Sequence, residues 1–85
     1  MSKTTLTRQE LSSIKQTLFS MIKDSGRVEE SAYESIGESL CELNFNEFTY
    51  DEYAEVLLST IEDMLNLDDL AFDIPQLYTI QHKLS

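Results

Sequence analysis

Apolar residues recur along this chain at helical spacing in four separate stretches. Leu11, Ile14, Leu18, Met21 and Ile22 follow steps of three and four, which places them on one face of a helix. A start signal precedes them. Thr7 and Glu10 have the spacing of a capping box, and Leu6 can staple onto Leu11 across the cap. Ser25-Gly26 supplies a stop, since glycine enters the left-handed region without strain. A second stripe (Ala32, Tyr33, Ile36, Leu40, Leu43) predicts a helix over about 28–43, with Gly37 and Cys41 beside it. Glycine in mid-helix costs about 1 kcal/mol relative to alanine, and a close crossing with another helix would account for Gly37.

Residues 44–48 read as a turn, after which the first start is repeated. Thr49 and Glu52 form a second capping box, and Phe48 and Tyr53 a second staple. Tyr53, Val56, Leu57, Thr60, Ile61, Met64 and Leu65 then form an inward stripe. Asn66 or Asp68 is expected to cap a short helical turn through Leu67, Leu70 and Ala71. Asp73-Ile74-Pro75 marks a last start, because proline suits the first turn and an acidic cap suits the dipole; Leu77, Ile80 and Leu84 follow. The expected fold is all-α: a small bundle of three main amphipathic helices plus a shorter C-terminal helix. Residues 1–5 read as a frayed terminus and 6–85 as a single acidic helical domain, a length that supports one modest core.

Charge changes the picture. From Val28 to Asp73 the chain has fourteen Asp or Glu residues and no Lys or Arg, within a net charge of −10. Glu30, Glu34, Glu38 and Glu42 are four apart and predict a row along the second helix, beside a parallel row of Ser31, Ser35 and Ser39. Each like-charged pair at this spacing destabilises a helix by roughly 0.2–0.5 kcal/mol, so the three pairs together cost about 1 kcal/mol. A single lysine in the row would remove much of that cost. Its exclusion suggests a surface kept negative for a basic partner, with long-range steering of encounter. The same charge argues against direct nucleic-acid or anionic-membrane binding, both of which need positive surface.

Candidate contact residues follow from this surface: Glu30, Glu34, Glu38 and Glu42, then Glu47, Tyr50, Asp51 and Glu55, then Asp69 and Asp73. Among the aromatics interleaved with the acids, Phe48 and Tyr53 are assigned to the staple. That leaves Phe45 and Tyr50 as anchors, tyrosine being favoured at hot spots.

Catalytic signals are weak. His82 near the C-terminus has no partner that spacing reveals, and Cys41 among glutamates has its thiolate disfavoured, so it reads as a packing residue. There is no Gly-rich phosphate loop and no Cys/His zinc spacing, and the reading includes no metal, no cofactor and no enzymatic activity. Asn44, Asn46, Glu52 and Glu55 fit some positions of a calcium loop, but Thr49 stands where its glycine belongs and Phe48 where a ligand belongs. No apolar run approaches a membrane span, residues 1–20 lack a signal peptide's apolar segment, and one cysteine suits a reducing compartment; the expectation is a cytoplasmic protein.

Beside the alternative of a structural or assembly helical protein whose acidic face is merely solvated, two kinds of partner are compatible with the acidity. The first is a basic, nucleic-acid-binding protein whose surface this chain occupies as an inhibitor, in the extreme as a DNA or RNA mimic. One glutamate row carries a charge every ~6 Å, against one per ~1.7 Å of duplex axis, so mimicry requires several helices side by side or a homodimer. The second comes from Asp68-Asp69-Leu70-Ala71-Phe72-Asp73-Ile74-Pro75 and Tyr78-Thr79-Ile80. With them, residues 48–80 resemble the closing part of an MA3 domain, a helical module of translation factors that bind a DEAD-box RNA helicase. The resemblance implies an adaptor function and places Asp73 at the helicase-contacting surface. It covers under half of the chain, which is shorter than an MA3 domain and has Ala54-Glu55 where that family has a glycine-aromatic pair.

Overall fold

A computed structural model describes residues 6–85 of the protein; the fraying expected of residues 1–5 lies outside the described residues. Among the described residues four helices follow in chain order: α1 (Arg8–Asp24), α2 (Ser31–Glu42), α3 (Tyr50–Leu67) and α4 (Ile74–Leu84). Both capping boxes are formed. The Thr7 N–H donates to the Glu10 carboxylate at 2.7 Å and the Glu10 N–H to the Thr7 hydroxyl at 3.1 Å. At Thr49 and Glu52 the same reciprocal pair measures 2.9 and 3.2 Å. Asp73 caps α4 by accepting the Gln76 N–H at 3.2 Å, with Pro75 in the first turn.

The expected stripes of α1 and α4 are all buried. On α3, Val56 and Leu65 are half-buried at the edge of the stripe, while Ala54 lies inside. This helix packs against each of the other three, and α1 also packs on α2. Its Leu57, Ile61 and Met64 are completely enclosed, so the core is built around its length. Thr60 is the one polar member of that core among the described residues; a buried hydroxyl needs a partner, and no buried side-chain polar atom here lacks one.

The structure corrects three expectations about α2 and α3. First, α2 begins at Ser31 and not near residue 28. Gly26 takes φ 73° and turns the chain, and the Glu30 N–H then donates to the Arg27 carbonyl at 2.9 Å. Glu30 is left extended (φ −76°, ψ 141°) as the N-cap, outside the helical row. Second, neither Asn66 nor Asp68 starts a new helical turn. The third helix runs through Asn66 to Leu67, and Asp68 ends it in the left-handed conformation (φ 51°, ψ 42°), a region that aspartate tolerates. The following turn is organised by Asp69, whose side-chain oxygen accepts the Ala71 N–H at 2.8 Å and whose carbonyl accepts the Phe72 N–H at 3.0 Å. Phe72 is thereby tucked into the core, while Leu70 points outward, 99% exposed. Third, Gly37 is not demanded by a tight helix crossing. A β-carbon there would meet the Phe19 ring at 3.8 Å, an ordinary van der Waals distance.

Candidate protein-binding surface

The α1–α2 connection and the α3–α4 connection are clipped together by one carboxylate. Asp69 accepts the Tyr33 hydroxyl at 2.7 Å and lies 3.2 Å from the Arg27 Nε, and its side chain is only 8% exposed. The Ala71 N–H, then the Tyr33 hydroxyl, then the nearby Arg27 charge favour its ionised form and hold the carboxyl below the usual range against the opposing effect of burial. The same hydrogen bond, more than burial, pushes the Tyr33 phenol up. The Tyr33 ring also meets Phe72 in a tilted arrangement, centroids 6.0 Å apart. Asp69 is thus turned inward to hold the fold, and a partner meets little of it.

Two other expected contacts also have internal partners. Phe45 stacks flat on Tyr53, with centroids 4.0 Å apart and planes within 6°, and the Arg8 guanidinium lies 5.3 Å above it. Tyr50 is half-buried, and its hydroxyl donates to the Leu6 carbonyl. These rings fasten the N-terminal segment and the 44–48 turn to α3. Asp73 is exposed but spends a side-chain oxygen on its own helix cap. In the turn, the Asn44 side-chain oxygen accepts the N–H groups of Asn46 and Glu47, both at 2.9 Å.

The remaining acids are outward. Glu34, Glu38 and Glu42 are exposed and border a groove of about 440 Å³ between α1 and α2, whose apolar wall includes Phe19, Val28 and Gly37. Cys41 lies in this groove and is exposed, which corrects its reading as a packing residue. On the opposite flank of α2, Ser35 and Ser39 share a cleft of about 290 Å³ with Asp63 of α3. Glu47, Asp51 and Glu55 are exposed around the start of α3. Glu62 and His82 share a depression beside Tyr78, a juxtaposition that sequence spacing could not reveal, with neither an ion pair nor a hydrogen bond between them. The acids are therefore spread over several faces, and the serine row separates those of α2 from Asp63.

Cations are distributed unevenly. Arg27 pairs with Glu30 at 3.5 Å and with Asp69. Lys15 reaches from α1 to donate to the Leu43 carbonyl at 2.7 Å, placing a positive charge at the C-terminal end of α2, where the helix has no basic residue of its own. Neither the Arg27–Asp69 pair nor the Lys15–Leu43 bond was visible in the sequence, because the partners are 28 or more positions apart and no local spacing rule links them. Phe19 was missed for another reason: it adjoins the α1 stripe without belonging to it, and an apolar residue in that position is the available signal for a groove wall.

Among the described residues no group of three His, Cys, Asp or Glu side chains is placed to hold a metal ion, and no helix is long and apolar enough to cross a membrane. No family model matches the chain, and no curated protein and no solved structure matches it.

Proposed function

We propose that this chain is a non-enzymatic acidic binding module that occupies a basic surface of a partner protein, most simply a nucleic-acid-binding surface, and so inhibits it. The observation that carries the reading is the glutamate row of α2. Glu34, Glu38 and Glu42 stand outward with no cation in ion-pairing range among the described residues, although like charges at this spacing weaken the helix that bears them. A partner cation would relieve that repulsion and accelerate encounter. Three charges over the ~12 Å from Glu34 to Glu42 compare with about seven on the same length of duplex axis, which favours recognition of a basic polypeptide over close imitation of nucleic acid.

The test is capture of a partner from lysate at low and high salt with DNA or RNA as competitor. A basic protein retained at ~50 mM salt, released at ~500 mM and displaced by nucleic acid supports the reading. Retention undiminished across that range counts against it.

A second reading, an adaptor for a DEAD-box RNA helicase, has one observation in its favour beyond the MA3 resemblance. The segment that carries the resemblance displays Leu70, 99% exposed, on the α3–α4 turn. In that case Leu70→Ser, which leaves the charge unchanged, abolishes capture of a helicase; if the acidic row is the contact, capture survives it.

A further inference from the structure

We propose that the groove between α1 and α2 is the seat of a basic amphipathic helix belonging to the partner. The inference rests on the binding reading above and names its site. Three observations converge on it. The groove has an apolar wall, with Phe19 half-buried and Val28 42% exposed, so side chains able to bury against a partner are open to solvent. Its length along α2 is kept clear by Gly37, a residue costly in mid-helix. No neighbouring atom requires glycine there, and a β-carbon at this position would project toward the groove and make only an ordinary contact with Phe19. Finally, the α2 rim is lined by Glu34, Glu38 and Glu42 at one charge per helical turn.

Charge complementarity selects the occupant. A helix with Lys or Arg at every fourth position along one edge has the same ~6 Å repeat as the glutamate row, and an adjoining apolar stripe would face Phe19 and Val28. The opposite rim carries Lys23, whose ammonium lies 5.9 Å from the centre of the Phe19 ring. The two rims therefore differ in sign, and the bound helix lies with its basic edge toward α2.

A fluorescent synthetic peptide of about five helical turns, with leucines on one face and lysines every fourth residue on one edge, is the probe. Its binding is followed by anisotropy together with the reactivity of Cys41, the chain's single cysteine, toward a thiol reagent. The expected result is that saturating peptide slows modification of Cys41 about tenfold and that Gly37→Leu, which fills the groove without altering charge, weakens binding about tenfold. Circular dichroism establishes that the Gly37→Leu protein retains its helices. Undiminished binding by Gly37→Leu with an unprotected Cys41, but loss of binding in the combined Glu34→Gln, Glu38→Gln and Glu42→Gln protein, overturns the groove and leaves the acidic-surface reading standing. Binding insensitive to all of these changes overturns both. Protection of Cys41 that grows with protein concentration alone, without peptide, assigns the groove to a second copy of the chain and also overturns the proposal.

Discussion

Asp69 shows how far a residue's role can differ from its charge. It stands in an acidic run, yet its carboxylate is turned inward to Tyr33, Arg27 and the Ala71 N–H. Because its folded-state pKa is lowered, the stability it contributes is present above the unfolded value of about 3.9 and is lost as pH falls through the lower folded value. Asp69→Asn should therefore melt below the native protein at neutral pH, with the gap closing as pH falls below about 4; thermal melts of both proteins across this range check it. A gap that is constant or widens in acid would mean that the charge on Asp69 is not what holds the clip. Gly37 gives a prediction of opposite sign. Since a β-carbon fits, Gly37→Ala should stabilise by about 1 kcal/mol in denaturant titration. Destabilisation would show that the helix does need the glycine. Of these two residues, the helical position of Gly37 was legible in the sequence, whereas the clip was not. Hydrophobic period and caps are local, but Arg27, Tyr33 and Asp69 meet only after two connections have folded back together.

At the scale of the helices, local rules were enough wherever a cap and a stripe agreed. Thr7 and Thr49 start α1 and α3 as their capping boxes require, and the apolar stripes of α1 and α4 are the buried ones. Thr49→Ala should cost about 1 kcal/mol in a denaturant titration, the ordinary value of an N-cap. Local rules failed at the start of α2 and the end of α3. Glu30 offers no capping hydrogen bond, so the turn after Gly26 decides where α2 begins. With Glu30 outside the helix, the row contains two like-charged i,i+4 pairs, costing roughly 0.5–1 kcal/mol in place of the larger cost of three. Glu38→Lys replaces both repulsive pairs with attractive ones. It should raise the stability of the protein by roughly 1–2 kcal/mol while weakening partner binding. A variant that is both more stable and binds as well as the native protein would show that the row is only a solvated face.

At the scale of the whole molecule, α3 ties the bundle together and leaves the outer face of α2 free to carry charge. That division explains why the candidate surface was only partly legible. Exposure of Glu34, Glu38 and Glu42 follows from their spacing against a buried stripe. The apolar groove beside them does not, because it depends on where α1 lies relative to α2 and on Phe19 reaching over Gly37. Aromatics among acids resemble an interface, and this pattern points Tyr50 and Phe45 outward; in the folded chain they close the end of the bundle instead. The most direct test of an acidic binding surface is the salt dependence of affinity for the captured partner. It is measured for the native protein and for the protein with Glu34→Gln, Glu38→Gln and Glu42→Gln combined. The native affinity should fall steeply between ~50 and ~500 mM salt, and the neutralised protein should bind more weakly with a shallower slope. A native affinity indifferent to salt, or a slope that survives loss of all three charges, would contradict the account.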